Sequence, residues 1–127
     1  MTKHAIILIK KDNKYLQYKD ERWDCLLFPN TKIFDNPEED IKNELKKKFS
    51  IEITNLIYLM DKIHTKYSVS HQEFREYHHF FYQAEIKEPI PNIFEFYSIE
   101  ELEKNKRVLE VNKDILDFIK DIEKTNS

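Results

Sequence analysis

The chain has 127 residues, of which 40% are hydrophobic and 35% charged, and a formal net charge of -3. That length holds one core of useful size and leaves no room for a second, so residues 1–127 are expected to form a single domain. The charge balance lacks the basic surplus of a nucleic-acid binder, and nine Phe with seven Tyr exclude a disordered chain.

A lone cysteine, Cys25, cannot close an internal disulfide and is expected to be a small buried hydrophobe. The amino terminus lacks a secretory signal, and the run Ala5 to Ile9 is far too short to cross a bilayer. A cytoplasmic protein with no membrane partner and no nucleic-acid partner is the expectation. Glycine is absent altogether, so turns that need positive φ must use Asn or Asp. Asp12-Asn13, Asn30 and Asp35-Asn36 stand where such turns are due.

Lys3 to Lys10 opens the chain as a strand, because its apolar run is continuous and suits burial on both faces. Asp12-Asn13-Lys14 then turns the chain into Tyr15 to Tyr18, which predicts a hairpin. Trp23 to Phe28 reads as a short strand closed by Pro29-Asn30. A helix is predicted over 37–49. Asn36 is a good N-cap, Pro37 suits the first position, and Glu38, Glu39 and Asp40 complement the positive end of the dipole. Ile41, Leu45 and Phe49 recur on one face, and Lys46-Lys47-Lys48 closes the helix.

Glu52 to Tyr67 follows as a strand, Val69 to Glu73 as a loop, and Tyr77 to Ile86 as another strand. Residues 87–91 break the pattern, and Ile93 to Tyr97 reads as one more strand. Ser98 and Glu101 form a capping box for a short helix. A final amphipathic helix carries Val111, Ile115, Phe118, Ile119 and Ile122. The fold class is α/β, more closely α+β, with a mixed sheet sandwiched between helices.

The stretch from Phe28-Pro29 through Asp35, Glu44 and Leu45 to Ile51 resembles a Nudix box. The family pattern is G-x5-E-x7-R-E-U-x-E-E-x-G-U, where U is apolar, usually introduced by Phe/Leu-Pro-Gly-Gly. Asp35 falls at the first Glu and keeps the spacing of nine to Glu44. The surrounding elements fall in the family's order, and the resemblance implies the Nudix fold over nearly the whole chain. Departures are concentrated in the chemistry. Asn30-Thr31 replaces the two glycines, Asn43 the arginine, and Ser50 the late glycine. Lys47 and Lys48 replace the paired glutamates.

The resemblance implies a divalent cation held by carboxylates at i, i+3 and i+4 on one helical face, bridging a pyrophosphate and activating water. Here that face carries Glu44, Lys47 and Lys48, so Glu44 is the one remaining candidate metal ligand. Lys48 is also placed to pair with Glu44. Lys47 and Lys48 either make an ordinary solvated helix end or bind an anionic ligand directly. Trp23, in a region that helps form the nucleotide pocket of Nudix relatives, is a candidate to stack a base. No catalytic residue can be named.

The expectation is a degenerate Nudix-family protein with weak or no metal-dependent pyrophosphohydrolase activity, no cofactor, and a small anionic or nucleotide-like ligand. One alternative is an active hydrolase of a nucleoside diphosphate derivative, using Mg²⁺ and acids outside the box such as Glu38, Glu39, Glu73 or Glu76. Another is a non-catalytic structural or dimerisation module, and a homodimer remains open. His71, His78 and His79 suggest a metal cluster only superficially, since adjacent strand residues point to opposite faces.

Overall fold

The computed structural model describes residues 2–68 and 71–125. In chain order these are β1 (Thr2–Leu8), β2 (Lys10–Lys11), β3 (Lys14–Asp20), β4 (Cys25–Leu27), β5 (Asn30–Lys32) and α1 (Pro37–Phe49). β6 (Ile53–Ser68), β7 (Glu73–Ile86), β8 (Phe94–Tyr97), α2 (Ile99–Glu103) and α3 (Lys106–Thr125) complete the fold. One four-stranded sheet runs β5-β1-β7-β6, with β1 and β7 parallel and the other pairs antiparallel. The second joins β2, β3 and β4, with β8 paired to β3. Among the described residues no helix is long and apolar enough to cross a membrane.

β1 feeds two cores by simple alternation. Ala5, Ile7 and Ile9 pack with Ile41, Leu45 and Phe49 of α1, while Ile6 and Leu8 pack with Ile115, Leu116, Ile119 and Ile122 of α3. The mixed sheet is therefore sandwiched between helices, as the pattern predicts. α1 spans the predicted 37–49, with Ile41 and Leu45 fully buried and Phe49 7% exposed. The predicted capping box of α2 is also present, with Ser98 Oγ accepting from the Glu101 amide at 3.1 Å.

Several local expectations are corrected. The predicted hairpin is reduced to β2 and β3, turning through Asp12 (φ 53°) and Asn13 (φ 63°). β1 itself leaves for the other sheet, because β7 offers it a longer partner, in register over Thr2 to Leu8. Asn30 is no turn residue but the first residue of β5, paired with Ile6. Asn36 makes no side-chain cap bond, since its Nδ2 donates to Glu39 Oε2 at 3.1 Å. The second long strand starts at Glu73 rather than Tyr77, and Val69 and Ser70 of the predicted loop lie outside the described residues.

The sharpest local conflict sits at the end of α1. Ser50 is left-handed (φ 58°, ψ 34°), with its N–H donating to Lys46 O at 3.0 Å. This closure suits glycine, because any Cβ crowds the backbone there. Ser50→Gly should raise stability by about 0.5–1 kcal/mol, after allowing for the greater entropy glycine gives the unfolded chain. Urea unfolding of both proteins measures this. A loss of stability would show that the Ser50 side chain contributes more than its backbone strain costs.

Candidate functional site

α1 turns Glu44, Lys47 and Lys48 away from its buried stripe; the two lysines are exposed and Glu44 is half-buried. The Lys48 ammonium lies 5.0 Å over the Phe49 ring. Partial burial lowers the Lys48 pKa, and Arg22 and Lys32 push the same way, against Asp20 and Glu44. Among the described residues no ion pair joins Lys48 to Glu44, so the expected pairing is not formed. The neighbouring Lys46 instead bridges to Glu52 at 3.3 Å.

The β1–β5 register sets His4 beside Lys32. Burial takes the His4 imidazole down to a pKa of about 4, helped by Lys32, Lys48 and Arg22. The cationic rim thus gathers groups from the β3–β4 connection, β5 and the last turn of α1. Two carboxylates, Asp20 and Glu44, moderate it. Asp20 also accepts from Tyr18 Oη at 3.4 Å and from the Trp23 amide at 3.0 Å, which fixes the start of the Trp23 segment.

Trp23 borders a cavity of about 600 Å³, within the usual size of a small-ligand pocket. Tyr67 and Lys66 from β6 and Arg107, Glu110 and Asp114 from α3 line it as well. Arg107 clasps this wall, donating to the Trp23 carbonyl from Nε at 3.0 Å and Nη2 at 2.6 Å. Glu44, Lys47 and Lys48 do not line this cavity. The structure therefore separates Trp23 from the lysines of α1, while Asp20 lies within electrostatic reach of both Lys48 and Cys25.

No family model matches the chain by sequence, and no curated protein matches it. Solved structures do. A Nudix hydrolase from Nitrosomonas europaea superposes with a TM-score of 0.62 at 13% identity, covering 84% of this chain and 78% of its own. A Nudix-family hydrolase from Clostridium perfringens gives 0.57 at 20% identity, covering 95% of this chain and 94% of its own. The Ap4A hydrolase of C. elegans gives 0.58 at 10% identity, covering 82% and 85%. The chain has the Nudix fold.

On this fold α1 carries most of the stretch that resembles the box, and Phe28-Pro29 directly precedes β5. The residues present do not fit a divalent cation of the family type. Among the described residues no three His, Cys, Asp or Glu side chains come together as a metal-binding group. The other candidate acids are dispersed as well. Glu39 accepts from Asn36, Glu73 pairs with Arg75 at 3.4 Å, and Glu76 is exposed on β7.

The three histidines separate as alternation predicts. His78 meets Asp61 at 2.5 Å, while His79 turns inward to His64, and His71 meets the Ser68 hydroxyl at 3.0 Å. Sequence reasoning missed His4, Arg22, Lys32, His64, Lys66 and Arg107. Only strand pairing and helix docking bring these together. Their residue types gave no signal, because polar residues recur throughout β6 and His64 and Lys66 do not stand out there.

Arg107 gives the cavity its simplest test, because Trp23 is the chain's single tryptophan. Arg107→Ala should cost about 1 kcal/mol, at the low end for a charge-assisted bond since the guanidinium is partly exposed. It should also red-shift Trp23 emission while the far-ultraviolet circular dichroism stays unchanged. Unaltered emission would mean that the clasp does not hold the Trp23 segment.

Proposed function

We propose that this chain is a Nudix-family protein of the cytoplasm that binds a small anionic, nucleotide-like ligand and has little or no metal-dependent pyrophosphohydrolase activity. The observation that carries this reading is the exposed face of the box helix. One carboxylate and two ammonium groups stand where the family pattern has three carboxylates, and Arg22 and Lys32 lie within electrostatic reach. A divalent cation would meet like charge there. A phosphate or pyrophosphate would meet donors and positive charge without one. The Trp23 cavity stands apart from this face and, with Tyr67 as a second aromatic wall, supports a planar ring as a separate ligand.

Calorimetric titration with ADP and with inorganic pyrophosphate, in EDTA, tests the reading. Both should bind, and more weakly as salt rises. Lys47→Ala/Lys48→Ala should reduce pyrophosphate affinity about tenfold, or ~1.4 kcal/mol. Trp23→Ala should leave pyrophosphate affinity unchanged. Rapid Mg²⁺-dependent turnover of nucleoside diphosphate derivatives by the natural chain would overturn the proposal, as would pyrophosphate binding indifferent to both lysines.

A charge reversal tests the ancestry of the helix face. Lys47→Glu/Lys48→Glu takes the three positions from about +1 to -3. The helix should survive, since Lys and Glu have similar propensity. Two acids near its negative end should cost ~0.3–1 kcal/mol each. Mg²⁺ or Mn²⁺ at matched ionic strength should restore that loss in the variant and leave the parent's melting temperature nearly unchanged. A folded variant with no gain in metal affinity would show that these positions are no lapsed metal site.

A further inference from the structure

The face of the main sheet opposite α1 holds a buried polar cluster that the ligand reading does not use. His64 of β6 and His79 of β7 are 5% and 6% exposed, and their Nδ1 atoms lie 2.8 Å apart. One Nδ1 must donate and the other accept, so the bond cannot survive two protonated rings. His64 packs edge-on against Phe118 of α3, centroids 6.0 Å apart, and against Phe81 of β7 at 6.4 Å. Its Nε2 is buried with no hydrogen-bond partner. An imidazolium at His64 would aim an unpaired N–H into that apolar contact.

Two residues along β6, on the same face, Lys66 ties the sheet to α3. Its Nζ donates to Val111 O at 3.2 Å and Asn112 Oδ1 at 3.1 Å, and pairs with Asp114 at 3.4 Å. These partners surround the point where α3 breaks, since Asn112 leaves helical geometry (φ -125°, ψ 19°). The charges and titratable groups facing the pair are Lys62 and Lys66 from β6, His4 from β1, Tyr77 and His78 from β7, and Asp114 from α3. Asp114 alone favours a proton on the pair, and it is already engaged by Lys66. The wall of the Trp23 cavity comes from this same part of α3, through Arg107, Val111 and Asp114.

We propose that the His64–His79 pair is an acid-sensitive latch, which docks α3 on the sheet while both rings are neutral and releases it, with the cavity wall, when they take up protons. The latch stands on this geometry and does not depend on the ligand proposed above. Burial holds both imidazoles below their ordinary value near 6.5, His79 down to about 3, with Lys66 pushing the same way. The neutral forms are thus the docked forms. Docking is at full strength above pH 6.5 and weakens as pH falls, because the released rings bind protons that the docked rings refuse. Each proton taken up weakens docking by up to tenfold per pH unit below that point.

Amide hydrogen exchange between pH 7.5 and 4.5, corrected for intrinsic rates, tests the latch on the intact chain. Opening of residues 113–125 should rise between tenfold and a hundredfold from pH 6.5 to 5.5, while α1 on the opposite face stays protected. Equal loss in α1 and α3 would be general acid unfolding and would overturn the proposal. His64→Gln/His79→Gln keeps a donor and an acceptor without titrating, and should flatten the α3 response. A folded double variant with the parent's full response would also overturn it. If that variant fails to fold, ring proton NMR of the parent decides. The two imidazoles should stay neutral below pH 6 and titrate together with the loss of α3 amides. Ordinary titration near 6.5 with α3 still docked would refute the latch.

Discussion

β1 lies between two helices, and the run from Ala5 to Ile9 is buried on both faces, so every residue in it belongs to one core or the other. The partners of β1, β5 on one side and β7 on the other, are set by this double burial. A one-residue slip against β7 would carry Ile7 and Ile6 into each other's cores and expose polar neighbours to both. The register that results also decides the chemistry of the edges. It sets His4 beside Lys32 and in line with His79, which puts a buried imidazole, held neutral by its surroundings, next to the cationic rim.

Much of this was legible in the residues, for reasons that differ by element. α1 could be read because its determinants are local: a proline at the first turn, acids then lysines along the dipole, and an apolar residue every turn. The α2 capping box is equally local. The opening hairpin was misread because the partner that wins β1 lies some seventy residues downstream, beyond the reach of any periodicity. Asn30 and Asn36 misled in another way. Their side chains suit turns and caps, yet Asn30 is drawn into β5, and Asn36 gives its amide to Glu39 instead of the helix end.

The site divides along the same line. Glu44, Lys47 and Lys48 share a face by helical spacing alone, so their charge could be read before any coordinates. Trp23 could be proposed from its place ahead of the box, but the carbonyl clasp from Arg107 joins positions 84 residues apart. The buried pair His64 and His79 was invisible for a subtler reason. Alternation on each strand says that both rings could point inward, while only the β6–β7 register, with its bulges, brings one Nδ1 to the other.

In α1 the packing that sets the fold and the charge that meets solvent lie on different faces. Its buried face, Ile41, Leu45 and Phe49, contributes the packing that locates it, and of Lys47 and Lys48 only Lys48 meets that face, with its ammonium 5.0 Å over the Phe49 ring. Those positions face solvent, where substituting Lys for Glu changes helix propensity little and improves the match to the dipole. The absence of glycine is harder to absorb. Thr31 enters a strand without difficulty, whereas Ser50 must hold a left-handed backbone. The strain at Ser50 is small beside the burial of Phe49 and Ile51 on either side, so the closure persists without its glycine. Buried packing thus constrains the backbone while leaving the exposed face free to carry charge of either sign.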